Sequence, residues 1–276
     1  MSSTITPSKQ PTRFIACGMY AFTEELGIAW QKLFDCYSSE FESFTIDKKL
    51  IFESGTEILR DPLLFIGHTC GYPLMRKFRD DLTPVCVPVF DVAGCDGTFY
   101  SSVFIVAEDS DIESLSDCYA RVAAMNDSHS NSGMNLLRHA IAPLSRGKAY
   151  FSAVLKTGSH LQSFADIAVK RADIAAIDCV SYQLIVDSRP DMVARVRSIG
   201  FSAKTSGLPF VMPSSLLESV GKEDLTAGLN LAVSKLAGEY RERLHLQGFE
   251  RVDIEDYQGI VDLESSAQQQ GYPRLA

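Results

Sequence analysis

Hydroxyl and amide side chains are concentrated in residues 126–133, whose sequence is NDSHSNSG. The segment follows an apolar run and opens a stretch with helical spacing, so backbone amides at its end are free to bind an anion. Gly133 would let that anion approach the backbone closely. One helix cap needs only one side chain, so we favour an anion site over a plain cap, with contributions from Ser130, Asn131, Ser132 and Gly133.

Two further polar residues stand at similar places later in the chain. His160 follows the turn-prone residues 157–159 in the first turn of a predicted helix, where it either has a structural role or donates to an oxyanion. Asp178 directly follows the apolar residues 175–177, and it either caps the next helix or accepts a hydrogen bond from a protonated ligand oxygen. Such an acceptor favours a monoprotonated oxyanion over sulfate, which has no proton to give.

The composition is that of a folded protein and argues against several functional classes. The chain has 276 residues, 46% of them hydrophobic, and a formal net charge of −9. Disordered chains are less apolar, and nucleic-acid-binding proteins usually carry a basic face that is not evident here. No apolar run approaches the ~18 residues that a membrane span needs.

The beginning of the chain is polar. Residues 1–12 are rich in Ser, Thr, Pro and Gln, so we predict a short disordered lead. This segment has no apolar core of the kind that a secretory signal peptide contains. A cytoplasmic location therefore stays open beside an exported one.

Seven cysteines occur at irregular spacings, with no Cys-x-x-Cys pair. This pattern predicts neither a complete disulfide framework nor a zinc site, and we predict no metal and no cofactor. Most of the thiols are expected to be small buried side chains. Cys70 and Cys95 lie in glycine-flanked segments, so a disulfide between them is open if the protein is exported.

Short β-rich runs alternate with amphipathic segments along the chain. In the middle third, three strands are each followed by a loop and a helix, which predicts an α/β lobe with a mostly parallel sheet. The predicted strands of this third are 121–125, 151–155 and 174–177, and the predicted helices are 133–141, 160–170 and 179–186.

Further elements are predicted on both sides of this region. The expected strands are 13–17, 44–52, 63–67, 85–90, 102–107 and 196–201, and the expected helices are 23–37, a short one from Pro73 and a long region over 215–245. The tail beyond Leu263 looks frayed. Because the last third has too few strands for a domain of its own, we expect it to pack on the first. The predicted lobes are 13–100 with 204–276, and an inserted lobe at 101–203.

The ordered set of motifs resembles the phosphate-, phosphite- and phosphonate-binding proteins of ABC transporters. The segments that carry the resemblance, which extends over residues 13–245, are SNSG at 130–133, TGSH at 157–160, AAID at 175–178, TCGYPL at 69–74 and YSSV at 100–103. Each motif alone is weak, and their order makes the set fairly specific.

The resemblance implies a type 2 periplasmic-binding-protein fold, with two α/β lobes of mixed, mostly parallel sheets that close on a ligand in the cleft between them. It implies that Ser130, Ser132 and His160 bind the phosphorus oxyanion and that Asp178 takes its proton. Tyr20 and Tyr72 would cover the ligand from the other lobe, unless they are surface tyrosines on loops. The resemblance therefore implies a periplasmic, monomeric binding protein that works with an ABC permease and has no catalytic residues.

Two alternatives share this fold. One is a cytoplasmic enzyme similar to the pyrimidine synthases of thiamin biosynthesis, which the polar N-terminus and the many cysteines favour. Against it, the sequence shows no metal-ligand cluster and no convincing pair of nucleophile and base. The other is a ligand-sensing domain, which would have the same pocket.

Overall fold

The computed structural model describes residues 11–37, 45–53 and 55–276. Most of the predicted lead at 1–12, and the first residue of the predicted strand 44–52, lie outside the described residues. The thirteen described strands are β1 (Arg13–Ala16), β2 (Ile46–Ile51), β3 (Leu64–His68), β4 (Leu82–Phe90), β5 (Phe99–Tyr100), β6 (Ser102–Ala107), β7 (Val122–Met125), β8 (Ala153–Lys156), β9 (Ile174–Asp178), β10 (Val196–Phe201), β11 (Thr205–Ser206), β12 (Phe210–Pro213) and β13 (Leu246–Arg251).

The helices include two π-helical turns, at Leu74–Phe78 and Asn131–Leu136. The first continues α2, and the second runs directly into α3. The α-helices are α1 (Glu24–Cys36), α2 (Gly71–Pro73), α3 (Leu137–Ser145), α4 (His160–Ala168), α5 (Cys179–Ser188), α6 (Pro190–Val193), α7 (Ser214–Val220), α8 (Lys222–Lys235), α9 (Gly238–Arg243) and α10 (Gln258–Gln269). Among the described residues, no helix is long and apolar enough to cross a membrane.

Six strands form the first sheet, in the spatial order β13-β4-β12-β3-β1-β2. β1 is parallel to β2 and β3, whereas β12 and β13 add antiparallel pairs. Thr23 caps the start of α1, where its hydroxyl accepts the Leu26 N–H, and helical spacing then buries Trp30 and Phe34. The rings of both residues pack against Phe210 of β12, which closes the core of this lobe.

The second sheet has the order β10-β6-β9-β7-β8. β7 pairs in parallel with β8 and β9, and α3, α4 and α5 follow these three strands, as the alternation of the sequence predicts. The chain enters this sheet from β4 through β5 and leaves it from β10 through β11. β5 and β11 pair with each other in antiparallel orientation, so the two crossings between the sheets run side by side.

The last third of the chain differs most from expectation. The predicted helical region 215–245 is divided into α7, α8 and α9, with a break at Gly221, whose φ of +75° suits glycine. β13 was not predicted.

The prediction of a frayed tail is wrong. α10 buries Ile260 and Ala267, and Tyr272 beyond it is also buried. The terminal Ala276 carbonyl accepts the N–H groups of Tyr150 and Phe151 in the second lobe. The polar Gln residues at 268–270 lie exposed at the end of α10, where they need no buried partner.

Candidate functional site

A cavity of about 510 Å³ lies between the two sheets and is lined by residues of both lobes. Five of the predicted site residues line it, namely Tyr20, Ser130, Ser132, His160 and Asp178. A second depression, of about 640 Å³, lies near the start of β13 and contains none of the predicted residues. The cavity between the lobes is therefore the candidate site.

The strand ends explain why these residues meet. Parallel strands place their carboxyl ends, and the helix N-termini that follow them, at one edge of a sheet. β7, β8 and β9 bring the starts of three helical segments to that edge, at Ser130, Ser159 and Asp178. Cys70, at the start of α2, adds a fourth helix start from the first lobe.

Ser130 and Ser132 form a short chain of hydroxyl groups. The Ser130 Oγ accepts the Gly133 N–H at 3.0 Å, which makes Ser130 the cap of the π-helical turn. The Ser132 Oγ lies 3.3 Å from the Ser130 Oγ and 2.8 Å from the His160 Nε2. The Ser132 N–H stands in the first turn, where backbone N–H groups have no intrahelical acceptor.

His160 is a neutral side chain at physiological pH. Burial lowers its pKa to about 4, because the charged imidazolium would lose its hydration. A neutral ring with its proton on Nε2 donates to the Ser132 Oγ and leaves the serine hydrogen for a ligand. The Nδ1 is buried and has no hydrogen-bond partner in the described part of the chain.

Asp178 uses its two oxygens differently. The Oδ1 accepts the N–H groups of Val180 and Ser181 and so caps α5. The Oδ2 accepts the Tyr20 hydroxyl at 3.0 Å, across the cleft from the first lobe. Burial raises the pKa of Asp178 to about 6, despite the opposing effect of these hydrogen bonds. The carboxylate is therefore a helix cap that also presents an acceptor to the cavity.

The cavity offers polar groups with little positive charge. Lys77 is the one Lys or Arg side chain among the described residues of the lining, and it is exposed. An anion here would be held by hydroxyls, amides and helix dipoles rather than by ion pairs. Because these donors are uncharged, they can bind an anion while a second group in the same cavity accepts a proton from it.

Three predicted site residues lie outside the lining. The Asn131 side chain donates to the Tyr100 hydroxyl at 3.0 Å. A Cβ on Gly133 would stand 1.9 Å from the Asn126 Oδ1, so the glycine makes room for Asn126 and not for a ligand. The Tyr72 hydroxyl donates to Glu264 at 2.7 Å, so Tyr72 does not cover the cavity as predicted.

The disulfide considered between Cys70 and Cys95 is absent, and both residues are free thiols. The Cys70 Sγ accepts the Asn131 N–H, whereas the Cys95 Sγ lies 3.5 Å from the Cys179 Sγ. Loop context in the sequence could not reveal this partner, because Cys179 looks like an ordinary residue at the start of a helix.

Sequence analysis missed Asn126 as a residue of the site. It follows β7 directly and lines the cavity, and its Oδ1 is buried without a hydrogen-bond partner among the described residues. Its position at a strand end was a usable signal. The apolar lining from Met19, Phe22, Leu161 and Leu208 gave no such signal, because apolar side chains also fill cores.

Comparison with known proteins agrees with this arrangement. Residues 66–257 match the family described as ABC transporter, phosphonate, periplasmic substrate-binding protein. No curated protein matches the chain significantly.

Solved structures show the same fold at low sequence identity. The binding protein component of an ABC phosphonate transporter from Pseudomonas aeruginosa is 18% identical, with a TM-score of 0.74 over 95% of this chain and 88% of its own. PhnD1 from Prochlorococcus marinus, in complex with methylphosphonate, is 14% identical, with a TM-score of 0.71 over 94% and 98%. The periplasmic aliphatic sulphonate binding protein SsuA from Escherichia coli is 16% identical, with a TM-score of 0.64 over 95% and 87%. The predicted two-lobed type 2 fold is confirmed.

Proposed function

Because the chain belongs to the family described as periplasmic substrate-binding proteins of ABC phosphonate transporters, we propose that it binds a small phosphorus oxyanion (phosphonate, phosphite or phosphate) for uptake. Members of this family are substrate-binding proteins, and we propose the same non-enzymatic role for this chain. Its partners would be the ligand and an ABC permease, and its place of work the periplasm.

One observation carries the proposal: Ser132, His160 and Asp178 line the same cavity. The Ser132 hydroxyl, held in place by the His160 Nε2, supplies a donor for an anionic oxygen, and the Asp178 Oδ2 supplies an acceptor for a proton on the oxyanion. Phosphorus oxyanions have a second ionisable proton with a pKa of about 6 or above, so their monoprotonated form is available for binding near neutral pH. Sulfonates carry no such proton, so Asp178 would repel them.

Within this class, the cavity favours a ligand with an organic group. Its volume of about 510 Å³ falls in the range of sites for larger organic ligands. Inorganic phosphate has five heavy atoms and would leave most of this space to water, at ~30 Å³ per molecule. Met19, Phe22 and Leu161 provide an apolar wall against which a carbon substituent would pack. An organophosphonate therefore fits better than phosphate or phosphite.

We further propose that the ribbon of β5 and β11 is the hinge between a lobe of residues 13–100 with 204–276 and a lobe of residues 101–203. Both chain crossings lie there. The hydrogen bond from Tyr20 to Asp178 already spans the cleft at 3.0 Å, and closure of the lobes around a ligand would exclude water from the anion, which strengthens every hydrogen bond to it.

A ligand panel tests the proposal. The purified protein would be titrated by calorimetry with alkylphosphonates, phosphite, phosphate, the matched alkylsulfonates and amino acids. We expect phosphonates to bind most tightly, with inorganic phosphorus oxyanions weaker and sulfonates weaker still. Preferred binding of sulfonates or amino acids would contradict the proposal.

A further inference from the structure

Two cysteines meet beside the candidate site without being part of it. The Sγ atoms of Cys95 and Cys179 are 3.5 Å apart, although the residues are 84 positions apart in the chain. Cys95 lies on the loop between β4 and β5 and is partly exposed. Cys179 is the first residue of α5, directly after Asp178, and is buried.

The packing of the loop holds this pair together. Gly94, next to Cys95, has a φ of +98°, and a Cβ built on it would stand 3.0 Å from the Cys179 Cβ. Only a residue without a side chain allows the loop to approach α5 so closely. In the described part of the chain, no other pair of cysteine sulfurs is in contact.

We propose that Cys95 and Cys179 form a disulfide when the protein meets a low-molecular-weight disulfide. The Cys95 thiolate attacks one sulfur of that reagent and releases one small thiol. The Cys179 thiolate then attacks the Cys95 sulfur of the mixed disulfide and releases the second small thiol. Two protein thiols are oxidised to one disulfide, the reagent is reduced to two thiols, and the two protons leave with them.

The geometry suits this sequence of steps. Cys95 is the accessible thiol and Cys179 the resolving one, and the sulfurs need to approach by about 1.5 Å to reach a bond length of ~2.05 Å. The hydrogen bond with Cys179 and burial raise the pKa of the Cys95 thiol, so the exchange speeds up as the pH rises.

The disulfide would connect the two lobes close to the ligand-binding cavity. It ties a loop that leaves the first sheet to the helix that follows β9 of the second sheet. Asp178, the neighbour of Cys179, faces the cavity. The disulfide therefore restrains the lobes near the ligand acceptor, whatever ligand the cavity holds.

Oxidised glutathione at pH 8.5 is the test reagent, followed by alkylation in denaturant and non-reducing peptide mapping. We expect the protein to lose two of its seven reactive thiols and to yield one linked peptide pair containing Cys95 and Cys179. The oxidised protein should unfold at a higher temperature than the reduced one, and dithiothreitol should remove the difference.

Variants separate this bridge from general oxidation. Cys179→Ala should stop at a glutathione adduct on Cys95, whereas the control Cys118→Ala, at a buried cysteine whose Sγ contacts the Ser114 carbonyl, should still form the bridge. Seven free thiols after oxidation of the wild-type protein, or a link from Cys95 to any other cysteine, would overturn the proposal. The mapping of the wild-type protein decides this even if a variant fails to fold.

Discussion

At the scale of single residues, the site contains two ionisable groups, the half-buried His160 and the buried Asp178, with opposite ionisation preferences. Burial lowers the pKa of His160 to about 4 and raises the pKa of Asp178 to about 6. The imidazole is neutral at pH 7, whereas the carboxylate is ionised there at a cost to the fold. A ligand that brings a proton to Asp178 would relieve that cost, which links binding to protonation.

Asp178→Asn should stabilise the ligand-free protein above pH 6. The folded pKa of about 6 exceeds the ordinary Asp value of 3.8, so stability falls as the pH rises from about 3.8 to 6 and stays at the lower level above it. The amide keeps an oxygen for the Val180 and Ser181 N–H groups and carries no charge. We expect a gain of roughly 2–3 kcal/mol at pH 8 that vanishes near pH 4, measured by urea unfolding. A gain of the same size at both pH values would contradict this origin.

Ser132→Ala should weaken phosphonate binding. The change removes a hydroxyl that lies 2.8 Å from the His160 Nε2 and faces the cavity. A hydrogen bond to a charged group contributes about 1.5–3 kcal/mol, so we expect a loss of roughly 10- to 100-fold in affinity by calorimetry.

The matched control is Ser128→Ala, an exposed serine in the same segment. This variant should bind like the wild-type protein. Equal effects of the two substitutions would show that Ser132 does not contact the ligand.

At the scale of elements, α10 contacts both lobes. Glu264 on α10 accepts the Tyr72 hydroxyl and forms ion pairs with Arg76 of the first lobe and Arg138 of the second, at 3.2 and 3.4 Å. Arg138 is 3% exposed and also donates to the Pro273 carbonyl. Breaking a buried ion pair destabilises the protein more than breaking an exposed one, because the remaining charge is left in a poorly solvated place.

Glu264→Ala should lower the free energy of unfolding by about 3 kcal/mol, because it leaves the buried Arg138 without its carboxylate partner. Urea unfolding at pH 7 is the measurement. The control Asp262→Asn changes an exposed carboxylate on the same helix and should stay within about 0.5 kcal/mol of the wild-type value. Comparable losses in both variants would argue against the network.

The helices and strands that could be predicted are those whose pattern lies within one segment of the sequence. The β–loop–α units of the middle third follow from periodicity, and β10 has the predicted bounds of 196–201. β12 and β13 are short strands whose pairing with β4 is set by distant chain segments. The burial of Tyr272 likewise depends on the second lobe, which no local pattern in the tail reveals.

At the scale of the whole molecule, the net charge of −9 opposes the approach of an anion. Physiological salt screens charges beyond ~8 Å, so the local helix N-termini decide the contact energy. Among the described residues, no buried cation lines the cavity. Added salt therefore has little electrostatic attraction between the protein and the anion to screen.

Phosphonate affinity should therefore change by less than about threefold between 0.05 and 0.5 M NaCl. The association rate should rise with salt, because the repulsion at long range is screened. Stopped-flow binding and calorimetry measure both quantities. A loss of affinity by tenfold or more would indicate that ion pairs hold the ligand.

The residues of the site also differ in whether nearby or distant parts of the sequence determine their positions. The placement of Ser132, His160 and Asp178 at strand ends could be predicted, because parallel strands share an edge. The positions of Tyr72 and Cys95 could not, since their partners Glu264 and Cys179 lie 192 and 84 residues away in the chain.

The discrimination between a phosphonate and the sulfonate of identical shape tests the central claim most directly. Methylphosphonate and methanesulfonate would be titrated by calorimetry into the wild-type protein and Asp178→Asn at pH 7. We expect the wild-type protein to prefer the phosphonate by at least about 100-fold, and the variant to reduce that ratio to less than about tenfold, because an amide accepts no proton and repels no sulfonate. An unchanged ratio in the variant would show that Asp178 does not select the ligand by its proton.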